Sequence, residues 1–314
     1  MNTPVPVLQL ENVFKSYGQV LGLSDVSLSL GAGIHGLLGP NGAGKSTLMK
    51  ILTGQLKPDR GRAWVLGRPA WNSPRNYLQL GFCPEQDAFY PGLSGQAFLL
   101  ALADLHGLPR AAAAAAAARA LQRVALEPPV WNRPIASYSK GMRQRLKLAQ
   151  ALLHQPAVLI LDEPLGGLDP VGRHQVLGLL EGLVGAGATI LVSSHILHEI
   201  ESMTSSVVLM VSGRVAAEGN VHQIRALIDR HPHHVAVRCP EPRRLAAALV
   251  ADPDVVSLEF ASKPAELRLT TQRPDQFYPR LMEIVLALGL EVERLASPDD
   301  NLEAVYRYLI DEKH

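Results

Sequence analysis

Apolar and polar positions follow two rhythms along this chain. Val7-Leu8-Gln9-Leu10-Glu11-Asn12-Val13 alternates residue by residue, as a strand with one buried face does. Residues 5 to about 72 continue as short apolar strands separated by turns. Three runs are instead continuously apolar: Gly33 to Leu38, Ala157 to Leu161, and Ala188 to Val192. Strands of that kind belong to a parallel sheet covered on both faces. Leu48 to Leu52 reads as a helix, and residues from about 92 to 155 are helix-rich. The alanine run Ala111 to Ala118 lies in that stretch, as a helix of high propensity or as compositional drift. The pattern predicts an α/β core interrupted by a helical insertion.

The rhythm breaks near Arg230-His231-Pro232-His233-His234. Beyond it the expected elements are strand Val235–Arg238, helix Arg243–Val250, strands Val255–Phe260 and Leu267–Thr271, helix Gln276–Leu288 and strand Glu291–Leu295. A last helix is expected from Asn301 to Ile310. The order βαββαβ predicts an α+β, ferredoxin-like accessory domain. The expected domains are residues 1–230 and 231–314.

Composition narrows the class. A chain of 314 residues with 47% hydrophobic positions suits two domains with sizeable cores. The net charge of +1, with no large basic block, argues against a nucleic-acid partner. Two distant cysteines, Cys83 and Cys239, suit a reducing compartment. Met1 to Glu11 shows no signal peptide, and no apolar run reaches the roughly 18 residues of a spanning helix. Action at a membrane would therefore require another polypeptide to cross it.

Between the strand ending at Leu38 and the helix opening before Leu48 stands Gly39-Pro40-Asn41-Gly42-Ala43-Gly44-Lys45-Ser46-Thr47. It fits G-x-x-x-x-G-K-[ST], and strand, Gly-rich turn and helix is the context that motif needs. Glycines let main-chain N–H groups curl around an anion, and the helix N-terminus adds partial positive charge. Lys45 is placed to reach β- and γ-phosphates, and the Ser46 hydroxyl to reach Mg²⁺. Further on, Leu159-Ile160-Leu161-Asp162-Glu163 delivers two carboxylates at a strand's C-terminal end, where ligands of open α/β sheets sit. Asp162 would hold Mg²⁺ through water, and Glu163 would orient and deprotonate an attacking water.

In these motifs and their order, residues 7 to 228 resemble the ATP-binding subunits of ABC transporters. The resemblance implies a P-loop NTPase core, ATP and Mg²⁺ as cofactors, and ATP hydrolysis. It places Tyr17 against the adenine, and Gln86 in Cys83-Pro84-Glu85-Gln86-Asp87 as a sensor of the γ-phosphate and Mg²⁺. His195, after Val192-Ser193-Ser194, matches the histidine that contacts the γ-phosphate, and Gly167-Leu168-Asp169-Pro170 the loop that crosses between subunits. At the signature position stands Tyr138-Ser139-Lys140-Gly141-Met142. Ser139 and Gly141 are retained from the family's Leu-Ser-Gly-Gly-Gln; Lys140 and Met142 depart from it, which puts the side-chain contact of the usual glutamine in doubt. Ser-Lys-Gly-Met also looks like the subset of bacterial exporters whose permeases have short loops.

In that family the signature meets the phosphate loop of a second copy. The resemblance thus implies a head-to-tail dimer with two ATP molecules between the copies, and Ser139 and Gly141 acting in trans. It further implies an integral membrane permease as partner, and a peripheral location on the cytoplasmic face of the inner membrane. Residues near Gln86 to Leu100 would pass motion to that permease. A soluble relative acting on DNA or ribosomes is the alternative, although sustained heptads, zinc cysteines and a second phosphate loop are missing. A non-catalytic regulator would be favoured had Lys45, Asp162, Glu163 or His195 been replaced. His231, His233, His234 and Cys239 invite a metal reading, but their spacing suits a linker better.

Overall fold

The computed structural model describes residues 6–220, 233–261 and 265–296. The chain divides into two compact units, between Val221 and His222. The residues at the expected break, 230–232, and the helix expected over 301–310 lie outside the described ones.

The first unit opens with β1 (Leu8–Tyr17), β2 (Val20–Leu30) and β3 (Ile34–Leu38), then α1 (Lys45–Leu52), β4 (Arg60–Val65) and β5 (Arg68–Pro69). After α2 (Pro74–Tyr77) and β6 (Leu80–Cys83) come the helices α3 (Gly95–Leu105), α4 (Arg110–Arg123), α5 (Pro128–Trp131) and α6 (Lys140–Leu152). The rhythm then returns with β7 (Val158–Asp162), α7 (Pro170–Gly185), β8 (Thr189–Ser194), α8 (Leu197–Glu201), β9 (Ser206–Val211) and β10 (Arg214–Asn220). The elements expected from the sequence stop at Val192 in this unit; the structure adds β9 and β10.

Two sheets result. The alternating strands form an antiparallel sheet in the order β2-β1-β4-β5. The continuously apolar ones form the other, β10-β9-β3-β8-β7-β6, parallel except where β10 turns back on β9. Every residue of β7 and β8 is buried, as a strand covered on both faces requires. Leu37, Ile160, Leu191 and Val208 of this sheet share one apolar cluster with Leu8, Leu10 and Val13 of the first and Leu48, Ile51 and Leu52 of α1. That cluster pins the phosphate-loop helix between the sheets. The alanine run is helix: Ala113, Ala116, Ala117, Ala120 and Leu121 are buried, the i, i+3, i+4 stripe of a packed helix.

In the second unit, strand His233–Arg238, helix Pro242–Leu249, strands Val255–Phe260 and Glu266–Thr271, helix Pro274–Leu288 and strand Arg294–Ala296 follow in turn. In the antiparallel sheet the first strand lies between the third and the fourth, with the second at the edge. This is the interleaved ferredoxin-like order. The final strand begins at Arg294 rather than Glu291, because Gly289 ends the preceding helix in a left-handed cap and pairing restarts only where Glu293 N–H meets the Arg238 carbonyl. Cys239 is fully buried in the apolar core beside Val237 and Leu245, while His234 is exposed on the strand's other face. Among the described residues no three His, Cys, Asp or Glu side chains converge as a metal cage.

Candidate functional site

Parallel register brings four strand ends to one rim of the six-stranded sheet. Leu38 of β3 stands opposite Ser194 of β8, Asp162 of β7 opposite Ser193, and Cys83 of β6 opposite Leu161. The segments leaving these ends therefore emerge together: Gly39–Gly44 after β3, Pro84–Asp87 after β6, Glu163 after β7 and His195 after β8. Open α/β sheets bind their ligands at this rim.

The loop after β3 has the shape its glycines permit. Gly42 and Gly44 take φ of +83° and +99°. A Cβ on Gly44 would sit 2.5 Å from the Gly22 carbonyl oxygen, so only glycine fits there. No side chain caps α1 and its first turn holds no acid, which leaves its N–H groups and dipole facing the cleft for an anion. Lys45 is buried, and its ammonium donates to the carbonyls of Gly39 and Pro40, at 3.1 Å in the second case. An ammonium has three N–H donors, so one is left for a ligand oxygen. Burial pulls the Lys45 pKa down, against the opposing pull of the Glu163, Asp162 and Glu85 carboxylates.

Ser193 organises the two acids. Its hydroxyl donates to Asp162 Oδ1 at 2.5 Å and accepts from the Glu163 N–H at 3.0 Å. Asp162 is only 4% exposed. Glu163 takes φ of +50°, a conformation that costs a non-glycine residue about 1–3 kcal/mol and persists only where its surroundings hold it. Its carbonyl accepts from the Gly166 N–H at 3.1 Å and from Gln144 Nε2 at 3.3 Å. Its carboxylate lies 2.9 Å from His195 Nδ1. Burial raises the Glu163 pKa above the usual carboxylate value, while the His195 hydrogen bond and the charges of His195 and Lys45 restrain the rise. A carboxylate poised in this way is a better proton acceptor than a solvated one.

A cleft of about 390 Å³ opens on this rim. It is lined by Pro40 to Thr47, by Glu85, Asp162 and Glu163, and by Tyr17, Val20, Leu21 and Gly22. Tyr17 is half-exposed there, as a ring that stacks on a base must be. Other expected site residues lie outside this lining. Gly39 is buried beneath the loop and contributes its carbonyl to Lys45. Gln86 is exposed in the loop after β6, and His195 meets the Glu163 carboxylate without lining the cleft. Ser139 caps α6, its Oγ accepting from the Met142 N–H at 3.2 Å, and Asp169 caps α7 through the Gly172 N–H at 3.0 Å. Ser139, Gly141 and Asp169 do not reach the cleft of their own chain. Ser193, Gln144 and Glu85 were not expected at the site. Ser193 was legible as the strand-end residue two before His195; Gln144 carried no local signal.

The ABC transporter family matches residues 23–166. Over 307 residues, 96% of the chain, the sequence is 33% identical to the daunorubicin resistance ATP-binding protein DrrA3 of Streptomyces coeruleorubidus, with 95% of that protein covered. The chain belongs to the ABC transporter ATP-binding family. It is also 37% identical over 222 residues to a Nod factor export ATP-binding protein I of Burkholderia orbicola, covering 70% of this chain and 73% of that one. Among solved structures, the ATP-binding subunit of an ABC transporter matches with a TM-score of 0.63 and 33% identity, over 70% of this chain and 92% of the other. The ATP-binding cassette MJ0796, solved as a post-hydrolysis dimer with ADP and Pi, shares the fold at a TM-score of 0.64 and 23% identity, over 68% of this chain and 98% of that one. In this ABC ATPase the alkyl stem of Lys140 packs against Gly167 of the loop before α7, in the space a Cβ there would need.

Proposed function

We propose that this ABC ATPase hydrolyses ATP to drive export through a separate integral membrane permease, from the cytoplasmic face of the inner membrane. The observation that carries the reading is Glu163, a strand-end carboxylate with a raised pKa, held by His195 and opening onto a cleft with Lys45 and Asp162. Export is supported by relatives concerned with drug resistance and Nod factor export. No helix among the described residues is long and apolar enough to cross a membrane, which fits a subunit that works through a permease.

In this reading Tyr17 stacks on the adenine, and the N–H groups of Gly39 to Thr47 with Lys45 hold the phosphates. Asp162 through water, Ser46 and Gln86 would hold Mg²⁺; one carboxylate, a hydroxyl, an amide and phosphate oxygens are a donor set that suits this ion. Mg²⁺ supplies charge neutralisation on the β- and γ-phosphates. Glu163 accepts a proton from water as the water oxygen bonds to the γ-phosphorus, the bond from that phosphorus to the β-γ bridging oxygen breaks, and ADP and inorganic phosphate leave. His195 holds the Glu163 carboxylate and contacts the γ-phosphate. Ser139 and Gly141, absent from their own cleft, meet the ATP of a second copy, and Asp169 lies on the loop that crosses between the two. Two composite sites form, and bound ATP favours the closed dimer.

The test is sedimentation of Glu163→Gln with and without MgATP. The expected outcome is a dimer with MgATP and monomer without it; monomer in both refutes the sandwich. Co-expression with the permease should move the protein into the membrane fraction and make its ATPase activity respond to transported substrate.

A further inference from the structure

One face of α6 grips the turn that carries Glu163. Gln144 is 4% exposed, and its side-chain amide donates to two main-chain carbonyls, Pro164 at 2.9 Å and Glu163 at 3.3 Å. One turn earlier, Lys140 lies across Gly167, and a Cβ on Gly141 would be 3.4 Å from the Gly167 carbonyl oxygen. Residues 140, 141 and 144 share a helix face by their i, i+3 and i+4 spacing. Glu163 itself is in a left-handed conformation, φ +50°, that a glutamate does not choose. Its N–H is held by Ser193 and its carbonyl by Gln144 and the Gly166 N–H. Gln144 is thus the side chain through which α6 fixes the backbone of the general base.

The other end of this short lever is the helix start. Ser139 caps α6, five residues and about 7.5 Å of helix rise from Gln144. Resting on the function proposed above, Ser139 serves the ATP of the partner's phosphate loop, whereas Glu163 serves the ATP of its own. We propose that Gln144 is a positioning residue that couples the two composite sites. A shift of α6 on engaging one ATP is carried by the Gln144 amide to the backbone of the glutamate that activates water at the other. A near-rigid link is expected because both acceptors are main-chain atoms and the amide is buried.

The test is Gln144→Met, which keeps length and volume and removes both donors. It is read for folding by thermal melting, and for nucleotide engagement by MgATP-driven dimerisation in a Glu163→Gln background. The expected result is a folded protein that still dimerises, with kcat lowered ~10- to 100-fold, since ~1 Å of misplacement at a reacting group costs that much. KM for ATP should stay within ~2-fold, the mark of a loss felt in the transition state. The Hill coefficient for ATP should fall from about 2 to about 1. Gln144→His, whose Nε2–H reaches a similar distance, should recover most of the rate. A folded Gln144→Met enzyme with parental kcat and Hill coefficient overturns the coupling. Should it fail to fold, Gln144→Glu is read in the same way, and failure of both to fold overturns the coupling in favour of a purely structural role. A parent Glu163→Gln protein that never dimerises with MgATP instead overturns the underlying dimer reading.

Discussion

Gly44→Ala tests how tightly the phosphate cradle is built into the core. The glycine sits at φ +99°, where an alanine costs about 1–2 kcal/mol. Its new Cβ would lie 2.5 Å from the Gly22 carbonyl oxygen, 3.0 Å from Leu23 Cδ2 and 3.3 Å from Gly213 Cα. Ordinary contact begins near 3.4 Å, so the loop must withdraw by nearly 1 Å from backbone that is itself in a sheet. Overpacking of that kind adds about 1–3 kcal/mol. Gly42→Ala is the control: φ is +83°, but nothing lies within 4 Å of its Cβ, so only the dihedral cost applies. Trp64, Trp71 and Trp131, all in the first unit, report its urea unfolding by fluorescence. The expected outcome is Gly44→Ala less stable than Gly42→Ala by about 1–3 kcal/mol. MgATP binding by calorimetry should be weakened more than ~10-fold, because Gly44 directly precedes Lys45 and the first N–H groups of α1. Equal stability of the two variants, with parental MgATP affinity in Gly44→Ala, refutes the reasoning.

Two pH-dependent outcomes follow from buried groups. Glu163 must be ionised to accept a proton, and burial raises its pKa, so the acid limb of kcat/KM should lie above the ordinary carboxylate value of 4.5. The His195 hydrogen bond lowers that pKa, so His195→Ala should move the limb to higher pH in steady-state profiles, with kcat also reduced. His154 is depressed to about 4, by burial first and then by His106, whose ring stacks on it at 4.0 Å. Its unfolded form takes up a proton near 6.5 and its folded form only near 4, so stability is lost as pH falls through that window. Urea titrations between those values should show this slope, and His154→Leu should flatten it.

What could be read from the sequence was what is local. The phosphate loop is nine consecutive residues whose chemistry lies in main-chain N–H groups and one lysine, so its spacing alone identifies it. The strands were legible because a doubly covered sheet demands unbroken apolar runs, as in Val158 to Leu161. The caps Ser139 and Asp169 are local too, since each acts three residues away, on Met142 and Gly172. The βαββαβ order of the second unit was legible for the same reason, although its last strand was placed too early, because a left-handed glycine decides where a helix releases the chain.

Contacts between distant segments were not legible. Ser193 meets Asp162 across 31 residues, His195 meets Glu163 across 32, and Gln144 meets Glu163 across 19. No periodicity encodes such pairs; the first two exist because parallel register aligns the ends of β7 and β8, and the third because a buried face of α6 meets the turn after β7. Nor could a pattern show that Glu163 takes a left-handed conformation, which Ser193 and Gln144 from distant segments and Gly166 of the same turn hold in place. By itself the sequence determined the Gly-rich loop between strand and helix, the strand that ends in Asp162 and Glu163, and the family. The tertiary structure decided which side chains hold those acids, because burial and register, not proximity along the chain, bring Ser193, His195 and Gln144 to one glutamate.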